Sequence, residues 1–222
     1  MVNSFWFPKA ITDLARQIDS MFNLISVIAI IIFVLVEVLL VVFLLRYRRN
    51  NKNQQGAAIH GNTKLEIIWT VIPAFILVVL GILSINLVYA IQTPPADVTV
   101  VQVIGHKWNW EFKYADGTDV FNEVRVPAGK NVLFKITSAK GDVIHGFYIP
   151  SLRLQQDALP GRETHVWMNS GDIGSYDIIC DQYCGTNHSL MVAKIKVVSQ
   201  SDYNQWLATQ EAQAQKLTKS TA

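Results

Sequence analysis

Cys180-Asp181-Gln182-Tyr183-Cys184-Gly185-Thr186-Asn187-His188-Ser189-Leu190-Met191 holds both cysteines of the chain, four apart, with a histidine four residues on and a methionine three beyond it. His145 lies upstream in Asp142-Val143-Ile144-His145-Gly146-Phe147. Thiolate, imidazole and thioether are the ligands an electron-transferring copper prefers. A loop that serves one copper needs one Cys, one His and one Met. A second thiolate would crowd a single ion, whereas two thiolates in one loop can bridge a pair. His145 and His188 would then cap one metal each, with Met191 a long axial ligand. Two other readings compete. The cysteines of an exported domain usually form a disulfide, and two Cys with two His also make a structural zinc site. Neither uses Met191, so copper is the preferred reading.

Outward from this loop the texture of the chain divides in three. Half of the 222 residues are hydrophobic and mean hydropathy is +0.25, high for a soluble protein. The excess is local. Leu24 to Leu45 is a 22-residue, largely apolar run whose only charged residue is Glu37, and Ile67 to Ile91 carries no charge. About 20 apolar residues span a bilayer as a helix, so both runs qualify. The loop between them carries Arg46, Arg48, Arg49, Lys52 and Lys64, against Lys9 and Arg16 before the first run. Basic residues stay on the cytoplasmic side, which places the loop inside and the long C-terminal part outside. The first run is too long for a cleaved signal peptide and is expected to be retained. Net charge is only +2, and no basic tract points to nucleic acid.

From Pro94 short β-rich runs alternate with Gly, Pro and Asp turns. Val98–Gly105, Asn109–Tyr114, Asn131–Ser138, Ile144–Ile149, Thr164–Met168, Ser175–Ile179 and Val192–Val198 read as strands. Strands at this spacing predict an all-β sandwich. Ser201 to Leu217, without Gly or Pro, predicts a terminal helix capped by Ser201. The expected architecture is α + β. Residues 1–94 form an N-terminal segment and a transmembrane hairpin with spans at 24–45 and 67–91. Residues 95–199 form the β-sandwich, and 200–222 a helix and tail.

With hairpin, sandwich and ligand set together, the chain resembles subunit II of the haem-copper respiratory oxidases, of the cytochrome c oxidase type. Glu66-Ile67-Ile68-Trp69-Thr70-Val71-Ile72-Pro73 resembles the start of that family's second helix, and Gly105-His106-Lys107-Trp108-Asn109-Trp110 its aromatic strand. Asp142-Val143-Ile144-His145 and Asp157-Ala158-Leu159-Pro160-Gly161-Arg162 resemble two further blocks. The resemblance implies a cupredoxin Greek-key sandwich on the periplasmic or outer side of the inner (cytoplasmic) membrane. It also implies a binuclear CuA centre held by His145, Cys180, the Gln182 carbonyl, Cys184, His188 and Met191. Electrons would come from cytochrome c or a similar one-electron donor and pass to haem in subunit I, where oxygen is reduced and protons are pumped. Subunit III and membrane lipid are further implied partners. Trp108 matches the family position where electrons come in; the alternative is an ordinary strand aromatic. Glu66 matches a carboxylate near the mouth of a proton-uptake channel; the alternative is a helix-start acid favoured by the helix dipole.

One position departs from the family. Gln182 stands where most members have Glu, whose carboxylate helps hold a magnesium ion against subunit I. A carbonyl for copper survives the change, but a neutral amide is a poorer ligand for so hard a cation. Gln182 and Gly146 lean towards divergent branches, some of which reduce nitric oxide. A CuA-bearing nitric oxide reductase subunit and a membrane-tethered copper carrier are therefore the competing functions. No Cys-x-x-Cys-His occurs, so no fused c-type haem is expected.

The remaining polar residues have plainer expectations. Glu37 is expected as a protonated intramembrane acid hydrogen-bonded against subunit I, with a proton relay as the alternative, and Pro73 as a kink or the start of a helical turn. His60 reads as a solvated loop residue, His106 and His165 as ordinary strand residues. By resemblance, Asp157 and Arg162 lie toward subunit I, as an ion pair beside the haem propionates.

Overall fold

The computed structural model describes residues 7–49, 56, 58 and 60–220, with side chains as far as Gln213. Helix α1 runs Asp13–Arg46 and α2 runs Thr63–Gln92. Each begins at a side-chain cap. Thr12 Oγ1 accepts the Ala15 N–H at 3.1 Å, and Asn62 Oδ1 accepts that of Leu65 at 3.3 Å. Such caps satisfy backbone donors that a helix start leaves unpaired. Asp13 in the first turn of α1 and Arg46 in the last complement the helix dipole. The most apolar stretches of both helices bury nothing inside the chain. Glu37 is exposed within α1, and Pro73 sits inside α2.

Two compact units result. Ser20–Leu87 is one; the described residues up to Asp19, with those from Val88 on, form the other. The N-terminal strap, residues 7–19, thus packs with the β-domain. Arg153 anchors it. Its guanidinium grips Asp19 through two hydrogen bonds, of 2.7 and 2.9 Å, and also reaches the Pro8 carbonyl at 2.8 Å. The same group lies over the Phe7 ring, 4.9 Å from its centroid. Ile11 and Ala15 are buried, and the Ile11 N–H donates to Ser151 O at 3.2 Å.

The β-domain has ten strands: β1 (Thr99–His106), β2 (Asn109–Tyr114), β3 (Asp119–Phe121), β4 (Glu123–Pro127), β5 (Asn131–Ser138), β6 (His145–Ile149), β7 (Leu154–Ala158), β8 (Thr164–Asn169), β9 (Gly174–Cys180) and β10 (Val192–Val198). One sheet has the order β3-β2-β1-β5-β8, the other β4-β10-β9-β6-β7. Parallel pairs β1/β5 and β4/β10 among antiparallel neighbours mark strands that cross between the sheets. Alternation puts Val132, Phe134 and Ile136 of β5 inward, against Trp110 and Phe112 of β2 and Phe147 of β6. Each such side chain stabilises the fold by roughly 1.5–3 kcal/mol over its exposed state.

The structure has three strands that the pattern did not predict, β3, β4 and β7. It also moves the cap of the last helix. Helix α3 is Gln200–Ser220, and Ser199, not Ser201, caps it: Ser199 Oγ accepts the Asp202 N–H at 3.1 Å. Tyr203 and Trp206 seat α3 on the sandwich, with Trp206 5.3 Å from the Tyr114 ring.

Candidate metal centre

Three pieces of backbone bring the ligand residues together. β9 ends at Cys180 and β10 begins at Val192, so antiparallel pairing (Val192 opposite Ile179) closes the intervening loop at its neck. There the Cys180 N–H donates to Met191 O at 3.1 Å. β6 pairs with β9, Phe147 facing Cys180, and the Asp181 N–H donates to Gly146 O at 3.2 Å. His145 is thereby set beside the loop. A short 3-10 turn, His188–Leu190, folds the loop's second half back over it.

The sulfurs and nitrogens converge. Cys180 Sγ lies 3.7 Å from Cys184 Sγ, and Cys184 Sγ lies 3.5 Å from His188 Nδ1 and 3.9 Å from Met191 Sδ. A ring nitrogen of His145 and both thiol sulfurs lie within 4.8 Å of one another. The Gln182 carbonyl is 3.2 Å from Cys180 Sγ. The cysteines are free, far outside the roughly 2.05 Å of a disulfide bond. His145 is fully buried, and neither of its ring nitrogens has a hydrogen-bond partner. An orphaned buried imidazole is costly, and a metal ion satisfies it.

The electrostatics of the pocket suit a cation. Burial pushes the Cys184 thiol up to about 12, with Cys180 beside it adding to the shift. Ligation requires the thiolate, so a bound cation reverses that cost and releases protons. Burial lowers the His145 pKa against the pull of Asp142, leaving the neutral imidazole a metal requires. Burial alone would raise the pKa of Asp142. The backbone N–H groups of Val143 and Lys107 outweigh it, and the carboxyl stays below its usual range. Asp142 Oδ1 is 3.6 Å from His145 Nε2, while Oδ2 accepts the Lys107 N–H at 3.0 Å.

Close approach depends on two glycines. A Cβ on Gly105 would stand 2.9 Å from His145 Cδ2. A Cβ on Gly146 would stand 1.8 Å from Asp181 Oδ1 and 2.8 Å from the Gln182 nitrogen. Sequence reasoning gave Gly105 no role and read Gly146 only as a lean towards divergent branches, with no packing role for either. The signal was their place beside aromatic or ligand residues. It also missed Lys107, whose backbone ties Asp142 to the β1–β2 turn.

Trp108 lies in that turn rather than within a strand, and its indole N–H donates to the Cys184 carbonyl at 3.3 Å. Trp110 is in β2, fully buried, 6.0 Å from the His145 ring in an edge-on contact. The structure brings His145, Cys180, Gln182, Cys184, His188, Met191 and Trp108 together. Glu66, in the first turn of α2, belongs to the other unit. His60 is exposed, His106 pairs with Glu111 at 2.7 Å, and His165 lies in β8. Asp157 and Arg162 make no ion pair with each other among the described residues: Asp157 is in β7, and Arg162 lies beyond it in the Pro160-Gly161 turn.

A two-sheet sandwich with crossed parallel pairs, carrying thiol, imidazole and thioether donors on its β9–β10 loop and on β6, defines a cupredoxin-type metal domain. Comparison with known proteins agrees with that class and narrows it. Residues 1–87 match the transmembrane domain of cytochrome c oxidase subunit II, and residues 118–198 match its periplasmic domain. Cytochrome c oxidase subunit 2 of Alkalihalophilus pseudofirmus is 31% identical over 92% of this chain and 61% of its own length. That of Arabidopsis thaliana is 30% identical over 92% of this chain and 88% of its own. The crystal structure of the periplasmic domain of subunit II of cytochrome oxidase from Bradyrhizobium japonicum superposes with a TM-score of 0.52. It is 26% identical, covering 55% of this chain and 99% of that one. The chain belongs to the cytochrome c oxidase subunit II family. It is a membrane protein whose C-terminal β-domain faces the extracytoplasmic side. It spans about three-fifths of the length of the Alkalihalophilus relative.

Proposed function

We propose that the chain is the electron-accepting subunit of a haem-copper terminal oxidase. The observation that carries this reading is the fully buried His145, its ring nitrogens without a hydrogen bond, beside two unjoined thiols 3.7 Å apart. In this reading Cys180, Cys184, His145, His188, Met191 and the Gln182 carbonyl would together hold a pair of copper ions. When bound, the copper pair would share one electron taken from cytochrome c or a similar donor and yield it to haem in subunit I, where oxygen is reduced with proton pumping.

The chain's own residues hold and shield that site. Donors already fixed by the sandwich need little rearrangement. Burial of Cys180, Cys184, Met191 and His145 keeps water away. Asp142 faces the outer nitrogen of His145, and Trp108 touches the Cys184 carbonyl from outside. Trp108 is therefore the proposed input residue. Glu66 is the proposed proton-uptake carboxylate beside subunit I, and Glu66→Gln is expected to slow proton-coupled turnover. Normal turnover would discard that role.

The residues do not fit the magnesium of the family. Gln182 offers an amide, and the neighbouring Asp181 carboxylate is folded against Gly146. Copper analysis and electron paramagnetic resonance of the purified complex test the main reading. Two coppers per chain sharing one unpaired electron are expected; one copper, or a Cys180–Cys184 disulfide, would overturn it. Assay with oxygen and with nitric oxide identifies the acceptor, and co-purification of a haem-containing membrane protein separates a complex from a lone copper carrier.

A further inference from the structure

The two imidazoles of the candidate site are held by different means. His145 is caged. It is fully buried, and a Cβ on Gly105 would stand only 2.9 Å from its Cδ2. Trp110 meets its ring edge-on at 6.0 Å, and Asp142 lies 3.6 Å from Nε2. His188 sits at the surface of the loop, half-buried. The short turn fixes its backbone: the His188 N–H donates to Gly185 O at 3.1 Å, and the His188 carbonyl accepts the Met191 N–H at 3.2 Å. That turn does not fix the ring, because the torsion that swings an imidazole about its Cβ–Cγ bond is broad.

A metal-ligating histidine usually takes its ring orientation from an acceptor on its other nitrogen. Nδ1 of His188 faces Cys184 Sγ at 3.5 Å. Among the described residues Nε2 has no hydrogen-bond partner, and the Asp181 carboxylate of the same loop is folded against Gly146 instead. What meets the ring is Tyr183. The two ring centroids are 5.7 Å apart with their planes at 63°, an edge-on contact. The loop geometry produces it. Cys184 is turned inward, 3% exposed, while its neighbour Tyr183 points out. Gly185, at φ +119°, opens the turn that brings His188 back alongside. Tyr183 is 78% exposed, so its side chain adds little to the stability of the sandwich.

We infer that Tyr183 is the positioning residue of His188: its ring is a wall that sets the plane of the imidazole, and with it the direction of the Nδ1 lone pair. This rests on the proposed copper-holding role and adds to it a residue that supplies no donor atom. A ring wall also orients the imidazole without occupying Nε2. An edge-on aromatic pair is a weak contact. Here it acts on one torsion at the loop surface, where among the described residues no other ring meets His188.

Electron paramagnetic resonance of the full chain, purified in detergent and loaded with copper, tests this with Tyr183→Phe and Tyr183→Leu. Phe keeps the ring and drops the hydroxyl; Leu keeps apolar bulk and drops the ring. Nitrogen hyperfine couplings resolve the two imidazoles. The Phe variant is expected to match the unaltered chain in its spectrum. It is also expected to match, within about twofold, the rate at which bathocuproine disulfonate strips copper from the reduced protein. The Leu variant is expected to change the coupling of one imidazole, leave the other, and lose copper about fivefold faster. Hydrogen-bonded supports of metal-bound histidines carry about 10–100-fold in affinity, and an edge-on ring carries less. The metal-free melting temperature is expected to stay the same. A Leu variant indistinguishable from the unaltered chain would overturn the inference. So would a Phe variant as perturbed as Leu, or two couplings that shift together. Absence of any copper signal in the unaltered chain defeats instead the role beneath it.

Discussion

The Asp181 carboxylate occupies the space that a side chain on residue 146 would need, its Oδ1 only 1.8 Å from where a Gly146 Cβ would stand. The two residues are interlocked: Gly146 also takes the Asp181 N–H on its carbonyl at 3.2 Å. Gly146→Ala must push the first turn of the loop away from β6. The expected cost is about 1–3 kcal/mol, typical of overpacking, together with an altered copper resonance spectrum. Adding Asp181→Ala is expected to recover part of the loss and not all of it, because the Gln182 nitrogen would remain 2.8 Å from the new methyl. Thermal melts and copper spectra of the single and double variants read this out; full additivity would refute the interlock.

Trp108→Ala removes one hydrogen bond, to the Cys184 carbonyl, worth about 1 kcal/mol. Copper content is expected to hold while donor oxidation slows about tenfold or more, a change of at least about 1.4 kcal/mol in the barrier. Rapid-mixing kinetics beside metal analysis separates the two effects. An unchanged rate removes Trp108 from the path.

The raised pKa of Cys184 gives the metal-free protein a distinctive pH profile. A thiol shifted from 9.0 to about 12 has about a thousandth of the ordinary thiolate fraction at pH 8. Alkylation of the metal-free protein is expected to be slow there and to rise about tenfold per pH unit up to about 12, instead of levelling near 9. The same shift stabilises the fold fully below pH 9, and that stability is lost as pH rises toward 12. Mass spectrometry of the labelled cysteines checks the profile, and levelling near 9 would contradict it.

Arg153 and Asp19 are both largely buried, with side chains 4% and 11% exposed. Asp19→Asn leaves the guanidinium without its counter-charge, and breaking a buried pair from one side costs about 3–5 kcal/mol. The strap is expected to become protease-sensitive between residues 7 and 19, while the copper spectrum stays unchanged. Limited proteolysis followed by mass analysis measures it, and an equally resistant variant would show the pair to be dispensable.

The membrane helices were legible because apolar composition alone identifies them, but their true lengths were not. The span rule stops at Leu24, whereas α1 begins at Asp13, carried outward by a polar segment capped by Thr12 and packed on the β-domain. Strands with clean alternation, such as Asn131–Ser138, were readable to the residue. β3 has three residues, too short to show a period. β7, Leu-Gln-Gln-Asp-Ala, reads as a polar loop, and it pairs with β6 for tertiary reasons. In the candidate site the loop spacing carried the ligand types. What no spacing could convey was the room left by Gly105 and Gly146, or the tie from Asp142 to Lys107, because these join segments dozens of residues apart. The helix cap was misplaced by two residues since Ser199 and Ser201 look alike in sequence, and only the hydrogen bond distinguishes them.

The strap has a consequence for biogenesis. Asp19 and Arg153 are 134 residues apart in the chain, with both hydrophobic segments between them. Their clasp can fasten only after both segments have been threaded and the downstream polypeptide has reached the compartment that holds the amino-terminal arm. A molecule inserted the wrong way round at its second segment would leave the two charges on opposite sides of the bilayer, an orphaned arginine and aspartate that quality-control proteases could detect.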